Sequence, residues 1–273
     1  MRHQPGSAAL GALLVAASLL VPVAPGAAAP DLDATVAAVA SQLRQSWNAD
    51  PGTASLAWPA IEVLPAGQTP ASACPGAGTA ARAAGAAQSP ALLCAASGKL
   101  LLDRSRLEKA ASRHGDWGVA YWVGIGLGTA ILGHRGPSRL APAAANLQAN
   151  CLAGVLIGGT GLQPTPQDPP RPDAVVAPAN GAYATALAEQ MGTRSQRSYA
   201  LLTGLGMTEL AGCSDSAMAE LAGDRVPDPA LLGALATGTD RAAFNTMGVM
   251  GRRCRPLPNA PCPRRLPGFT GKK

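Results

Sequence analysis

Aromatic side chains are scarce in this chain: four Trp, three Tyr and two Phe in 273 residues. A core with so few rings has to be closed by small side chains packed tightly. The alternation of basic and aromatic residues that single-stranded nucleic acid stacks on is missing, so nucleic acid is a poor partner. Histidine is as scarce, three in all, and none stands beside a Glu or a second His, so no local zinc-binding spacing exists. No Cys-x-x-Cys occurs, which removes a zinc ribbon and a thioredoxin-like motif. Ser89, Ser97 and Ser138 lack the Gly-x-Ser-x-Gly setting of a hydrolase nucleophile, and no pair of carboxylates stands out for glycoside chemistry.

What is present begins with an export signal. Arg2 and His3 give a short basic start, residues 8–23 form an apolar run broken by Pro22, and Ala27, Ala28 and Ala29 supply small residues for cleavage. Residues 1–29 are read as a signal peptide cut near Ala29; as an uncleaved anchor the run is too short and too interrupted. The expected location is secreted or at the cell envelope. Export also accounts for the six cysteines, Cys74, Cys94, Cys151, Cys213, Cys254 and Cys262. An even number in an exported chain implies disulfides, although sequence leaves the pairing open. Proximity along the chain favours Cys74–Cys94 and Cys254–Cys262, which leaves Cys151–Cys213. With all six paired, no thiol remains for a cysteine protease.

The net charge of +6 is unevenly placed. Residues 252–273 hold seven basic side chains and no acid, so the body before them is slightly acidic. Such a tail has two readings, a solvated end and a contact for anionic envelope polymer or lipid headgroups.

Two stretches are apolar all round. From Trp117 to His134 no Asp, Glu, Lys or Arg occurs, and residues 138–159 carry only Arg139. Each suits a helix buried on every side, and a packed central pair is the favoured arrangement. A membrane hairpin is the rival, but the first stretch is marginal in length and the second carries Asn146, Gln148 and Asn150 where lipid would penalise them. Gly124-xxx-Gly128 and Gly154-xxx-Gly158 permit close backbone approach in either setting. A strand over 118–123 leading into a phosphate loop is disfavoured, because Gly-Ile-Gly-Leu-Gly-Thr lacks both the third glycine spacing and the P-loop lysine.

In chain order, residues 31–47 predict an amphipathic helix with Val36, Val39, Leu43 and Trp47 on one stripe. Residues 61–64 suit a brief strand within a loop-rich stretch. Residues 91–95 and 99–102 suit a hairpin around Ala96-Ser97-Gly98. A short helix over 106–113 is capped by Asp103 or Ser105 and closed by His114-Gly115, with Asp116 starting the first central helix. The prolines of 160–178 predict an extended linker. Further helices are expected over 179–191, 195–210, 214–222, 229–236 and 240–250. The fold class is mainly α with a small β-hairpin, divided into residues 30–69 (helix and linker), 70–251 (main domain) and 252–273 (tail).

Several segments in order resemble the bacterial neutral zinc metallopeptidases. The hairpin Leu93-Cys94-Ala95-Ala96-Ser97-Gly98-Lys99-Leu100-Leu101-Leu102-Asp103 is similar to that family's cysteine hairpin ending in Leu-Asp. Asp116-Trp117-Gly118-Val119-Ala120-Tyr121 is similar to the lead-in to its active-site helix. Leu147-Gln148-Ala149 with Cys151-Leu152-Ala153-Gly154-Val155 resembles its second metal helix, and Thr237-Gly238-Thr239-Asp240-Arg241-Ala242-Ala243-Phe244 its closing helix. The resemblance spans about residues 70–255 and implies a zincin-like helical core. The chemistry departs from it. The family's His-Glu-x-x-His places two imidazoles one turn apart for zinc and a Glu to activate water. Here those places hold Ile125, Gly126 and Thr129, and the third ligand and its supporting Asp are replaced by Asn146 and Asn150. His114 and His134 flank the first helix without partner ligands and are read as surface or capping residues. The resemblance therefore implies a pseudopeptidase: no catalytic residues, zinc lost, Asn146 and Asn150 bonded to each other or to Thr129, and a binding or accessory role toward an unknown protein or envelope polymer. An active peptidase with a non-standard site and a membrane-embedded accessory protein are the alternatives.

Overall fold

In the first helix, α1 (Leu32–Ala49), Asp31 accepts a hydrogen bond from the Asp33 amide and caps the start. Its predicted stripe is the buried one: Val36, Val39, Leu43 and Trp47 are all inside. Trp47 stands edge-on to Trp58 and donates Nε1–H to the Leu56 carbonyl, which folds the following turn back onto the helix. The computed structural model describes residues 31–74, 89–164, 172–208, 210 and 212–237. The signal segment with its cleavage near Ala29, the helix expected over 240–250, the tail 252–273 and Cys254–Cys262 lie outside the described residues.

The expected hairpin is present as β2 (Ala91–Cys94) and β3 (Lys99–Leu102), antiparallel. The brief strand β1 (Ala60–Val63) joins β3 in parallel, so the hairpin is part of a three-stranded sheet with β3 central. Side chains alternate across β3. Leu100 and Leu102 enter the main core, whereas Leu101 joins Leu64, Cys74 and Cys94 in a small second cluster. That cluster holds the Cys74–Cys94 disulfide, next to the single turn α2 (Pro70–Ala73).

From the sheet the chain enters α3 (Arg104–His134), capped by Asp103. The sequence predicted two helices here. The structure joins them through a kink at Gly115, whose φ of 58° and ψ of −149° only glycine adopts without strain. Gly118 belongs to the same bend: a β-carbon there would lie 2.6 Å from the Ala110 carbonyl oxygen and 2.9 Å from His114 Cβ. After a short turn comes α4 (Pro142–Gly158), started by Pro142. The two helices form the central pair, and apart from exposed Thr129 residues 117–131 of α3 are buried. Among the described residues no helix is long and apolar enough to cross a membrane.

The second half differs from expectation in two places, one being that the helix expected over 195–210 ends at Gly204. The proline-rich linker ends earlier than predicted, because α5 (Pro172–Asn180) is a helix that buries Val175, Val176 and Ala179. Burial of that apolar stripe outweighs the local proline count, Pro178 included. The helix predicted over 179–191 is correspondingly absent. In its place stand a turn, one 3-10 turn at Thr185–Leu187 and α6 (Ala188–Met191), ended by Gly192 at φ 75°. Then follow α7 (Arg194–Gly204), with a capping box between Thr193 and Gln196, α8 (Asp215–Ala222), capped by Ser214, and α9 (Pro229–Thr237). The whole is mainly helical with a small sheet, α+β, and carries a second disulfide, Cys151–Cys213, from the middle of α4 to the loop before α8.

Candidate functional site

The positions expected to hold a degenerate metal site lie on α3 and α4, which cross at the centre of the protein. Glycines bring the backbones into contact. A β-carbon on Gly128 would lie 2.6 Å from the Ala149 carbonyl oxygen, and one on Gly124 would lie 3.1 Å from Ala153 Cβ. On the other side of α4, Gly154 meets Gly204 of α7 equally closely. Small residues at these points replace the bulk that rings would supply.

The five positions do not converge. Ile125 is buried in the core. Gly126 faces the Leu100 side chain of the sheet. Thr129 is exposed, and its hydroxyl donates to the Ile125 carbonyl of its own helix at 3.0 Å. Asn146 donates Nδ2–H to the Met191 carbonyl at 2.8 Å. Asn150 is fully buried; it donates Nδ2–H to the Asn146 backbone carbonyl at 2.8 Å and accepts the Tyr121 hydroxyl on Oδ1 at 2.7 Å. The expected bond between the Asn146 and Asn150 side chains, or from either to Thr129, is therefore not made: Tyr121 and α6 offer nearer partners. Burial raises the Tyr121 hydroxyl's pKa well above the usual phenol value, with Tyr183 adding to it and Arg197 opposing, so it stays a proton donor to Asn150. Gln148, the third polar residue of α4, donates to the Cys213 carbonyl and to Asp215 at 2.9 and 2.7 Å. These residues do not fit zinc. Ile and Gly have no donor atom, Thr129 points outward, and both amides are committed to protein partners. Among the described residues no three His, Cys, Asp or Glu side chains come together as a metal group.

A different site lies on the other side of the kink. A cavity of about 190 Å³ opens between the first segment of α3 and the end of α5. Arg106, Lys109, Ala110, Arg113 and His114 form one wall; Pro178, Gly181 and Ala182 face them, with Pro90 and Trp122 completing it. Its charged lining is all basic. Arg106 reaches Asp103 at 3.6 Å, whereas Lys109 and Arg113 are exposed and make no ion pair with a described residue. His114 is half-buried, not the plain surface residue expected, and its pKa is lowered first by burial and then by Arg113. His134 is exposed, with Nε2 3.4 Å from the Ala57 carbonyl oxygen.

The back of the cavity is rigid. Trp122 stands edge-on to Tyr121 and Tyr183, at 5.1 and 5.5 Å between ring centres. The Arg197 guanidinium lies 5.4 Å from the Tyr183 ring and donates to the Ala179, Asn180 and Gly192 carbonyls. This buried cation closes the end of α5 and the turn after α6 instead of pairing with a carboxylate.

Comparison with family models, curated proteins and solved structures finds no match.

Sequence reasoning passed over the cavity. Its one visible trace was the spacing of Arg106, Lys109 and Arg113, which share a helical face. The opposing wall spans the end of the segment read as linker (Pro178) and the start of one read as helix (Gly181, Ala182), so nothing in the sequence brought the two walls together.

Proposed function

We propose that this chain is an exported, non-catalytic binding protein of the cell envelope, built on a metallopeptidase-like, zincin-like helical core that no longer holds zinc. The observation that carries this reading is the commitment of Asn150: its amide closes a buried network with Tyr121 and the Asn146 carbonyl. A catalytic zinc keeps three N, S or carboxylate ligands and an open position for water; these positions offer neither. The basic residues 252–273 supply a second point of contact for an envelope polymer, a partner protein or lipid headgroups.

Elemental analysis of the purified protein and a casein-cleavage assay with and without chelator test the loss of catalysis. We expect metal far below one per chain and no chelator-sensitive cleavage. One tightly held zinc per chain, or cleavage that chelator abolishes, overturns it. Salt washing of cells against detergent extraction separates envelope contact from embedding, and release by salt is the expected result.

A further inference from the structure

We propose that the cavity between α3 and α5 binds a phosphomonoester, with Lys109 and Arg113 as the charge partners and His114 as a hydrogen-bonding group. This goes beyond the loss of catalysis and does not depend on it, since Ile125, Gly126, Thr129, Asn146 and Asn150 do not line this cavity.

Three features select the ligand. The first is size. Pockets for drug-sized molecules run from about 300 to 1,000 Å³, so a cavity of about 190 Å³ admits one small group or the end of a larger molecule. The second is charge. Among the described residues no carboxylate lines the cavity, and Arg106 is already shared with Asp103. Two cations remain without an ion pair among the described residues, which suits a group carrying about two negative charges, as a phosphomonoester does, better than a singly charged carboxylate. The third is the setting. Half-buried Arg104 is paired with Asp33 at 2.8 Å, Lys99 with Glu62 at 2.9 Å, and buried Arg197 with three carbonyls. Arg44, Arg135, Arg139, Arg194 and Arg225 also make no ion pair among the described residues, but only Lys109 and Arg113 of the unpaired cations line this cavity. Cations left open beside a concave surface, with an indole and prolines behind them, have no such internal role.

A phosphomonoester reaches an exported protein as a free solute or as the head of a lipid, and both present the same terminal group. The test is an amide NMR titration of the full chain with inorganic phosphate, with glycerol 3-phosphate, and with vesicles of phosphatidic acid against vesicles of phosphatidylcholine. Its comparison is the double variant Lys109→Gln/Arg113→Gln. Expected are saturable shifts confined to residues 106–114 and the Trp122 indole, with a Kd below about 1 mM, weakened about tenfold or more in the double variant. Lys109→Arg, which keeps the charge, should bind within about twofold of the parent. Saturation by glycerol 3-phosphate identifies a solute; saturation by phosphatidic acid vesicles alone identifies a headgroup. Absence of saturable shifts at these residues with every phosphate probe, or vesicle binding of equal strength in the double variant, overturns the proposal. A double variant whose amide spectrum is that of the parent away from the cavity shows that any loss is local.

Discussion

The two ends of α3 treat polar groups in opposite ways. At the α4 crossing the three amide side chains of α4 are bonded to protein: Asn146 to Met191, Asn150 to Tyr121, Gln148 to Asp215. Beyond the Gly115 kink, Lys109 and Arg113 are left without an ion pair among the described residues, next to a cavity. Buried groups must be satisfied internally because water cannot reach them. Groups held open at a concave surface are available to something else. The difference separates a region whose amide side chains are used internally from one whose charges face a cavity.

The largest effect should come from the support behind the cavity. Arg197→Met keeps the apolar bulk but leaves the Ala179, Asn180 and Gly192 carbonyls without their donor. The expected loss is about 3 kcal/mol, read from urea unfolding; an unchanged midpoint would mean that water replaces the guanidinium. Next is the crossing itself. Asn150→Ala strands the buried Tyr121 hydroxyl and should cost about 2 kcal/mol, while leaving affinity at the cavity as it was. If Asn150→Ala instead abolished binding, the two regions would be one site and the comparison would fail.

A smaller, pH-dependent effect belongs to His114. Its pKa in the folded chain lies below the ordinary value of 6.5, because burial, and then Arg113, disfavour the cation. The unfolded chain binds that proton more readily. Stability from neutral His114 is therefore complete above about pH 6.5 and falls as pH drops through the lowered folded value. Melting temperatures between about pH 7.5 and pH 5 should show less decline in His114→Gln than in the parent. The smallest effect is on the other cations. Lys109→Gln/Arg113→Gln should change stability by less than about 0.5 kcal/mol, because neither side chain is part of the packed structure. A large loss there would show that they support the fold and would erase the contrast.

Much of the framework was legible in the sequence, for physical reasons. The stripe of α1 follows from 3.6-residue periodicity, and the hairpin from a Gly-containing turn between two apolar runs. The favoured pairing Cys74–Cys94 and the remaining one, Cys151–Cys213, are both present. The enclosed pair was legible because two stretches have no polar face to turn outward. What stayed hidden depends on distant partners. Prolines marked residues 160–178 as linker, yet Val175 and Val176 within them are held by the core. Tyr121 finds Asn150 across 29 residues, and Trp117 donates to the Val175 carbonyl across 58. The kink at Gly115 was read as a break between helices, since a glycine after a short amphipathic run signals both equally.

The enclosure of α4 carries one more consequence. It is flanked by α1, α3, α6, α7 and α8; its Gly154 is in backbone contact with α7, and Gly124 and Gly128 of α3 press against it from the other side. A rod hemmed in on all sides has no flank to lend, so recognition falls to the rim, where exposed Lys109 and Arg113 can change without disturbing the middle of the protein, although Leu107 and Ala110 of the same segment cannot.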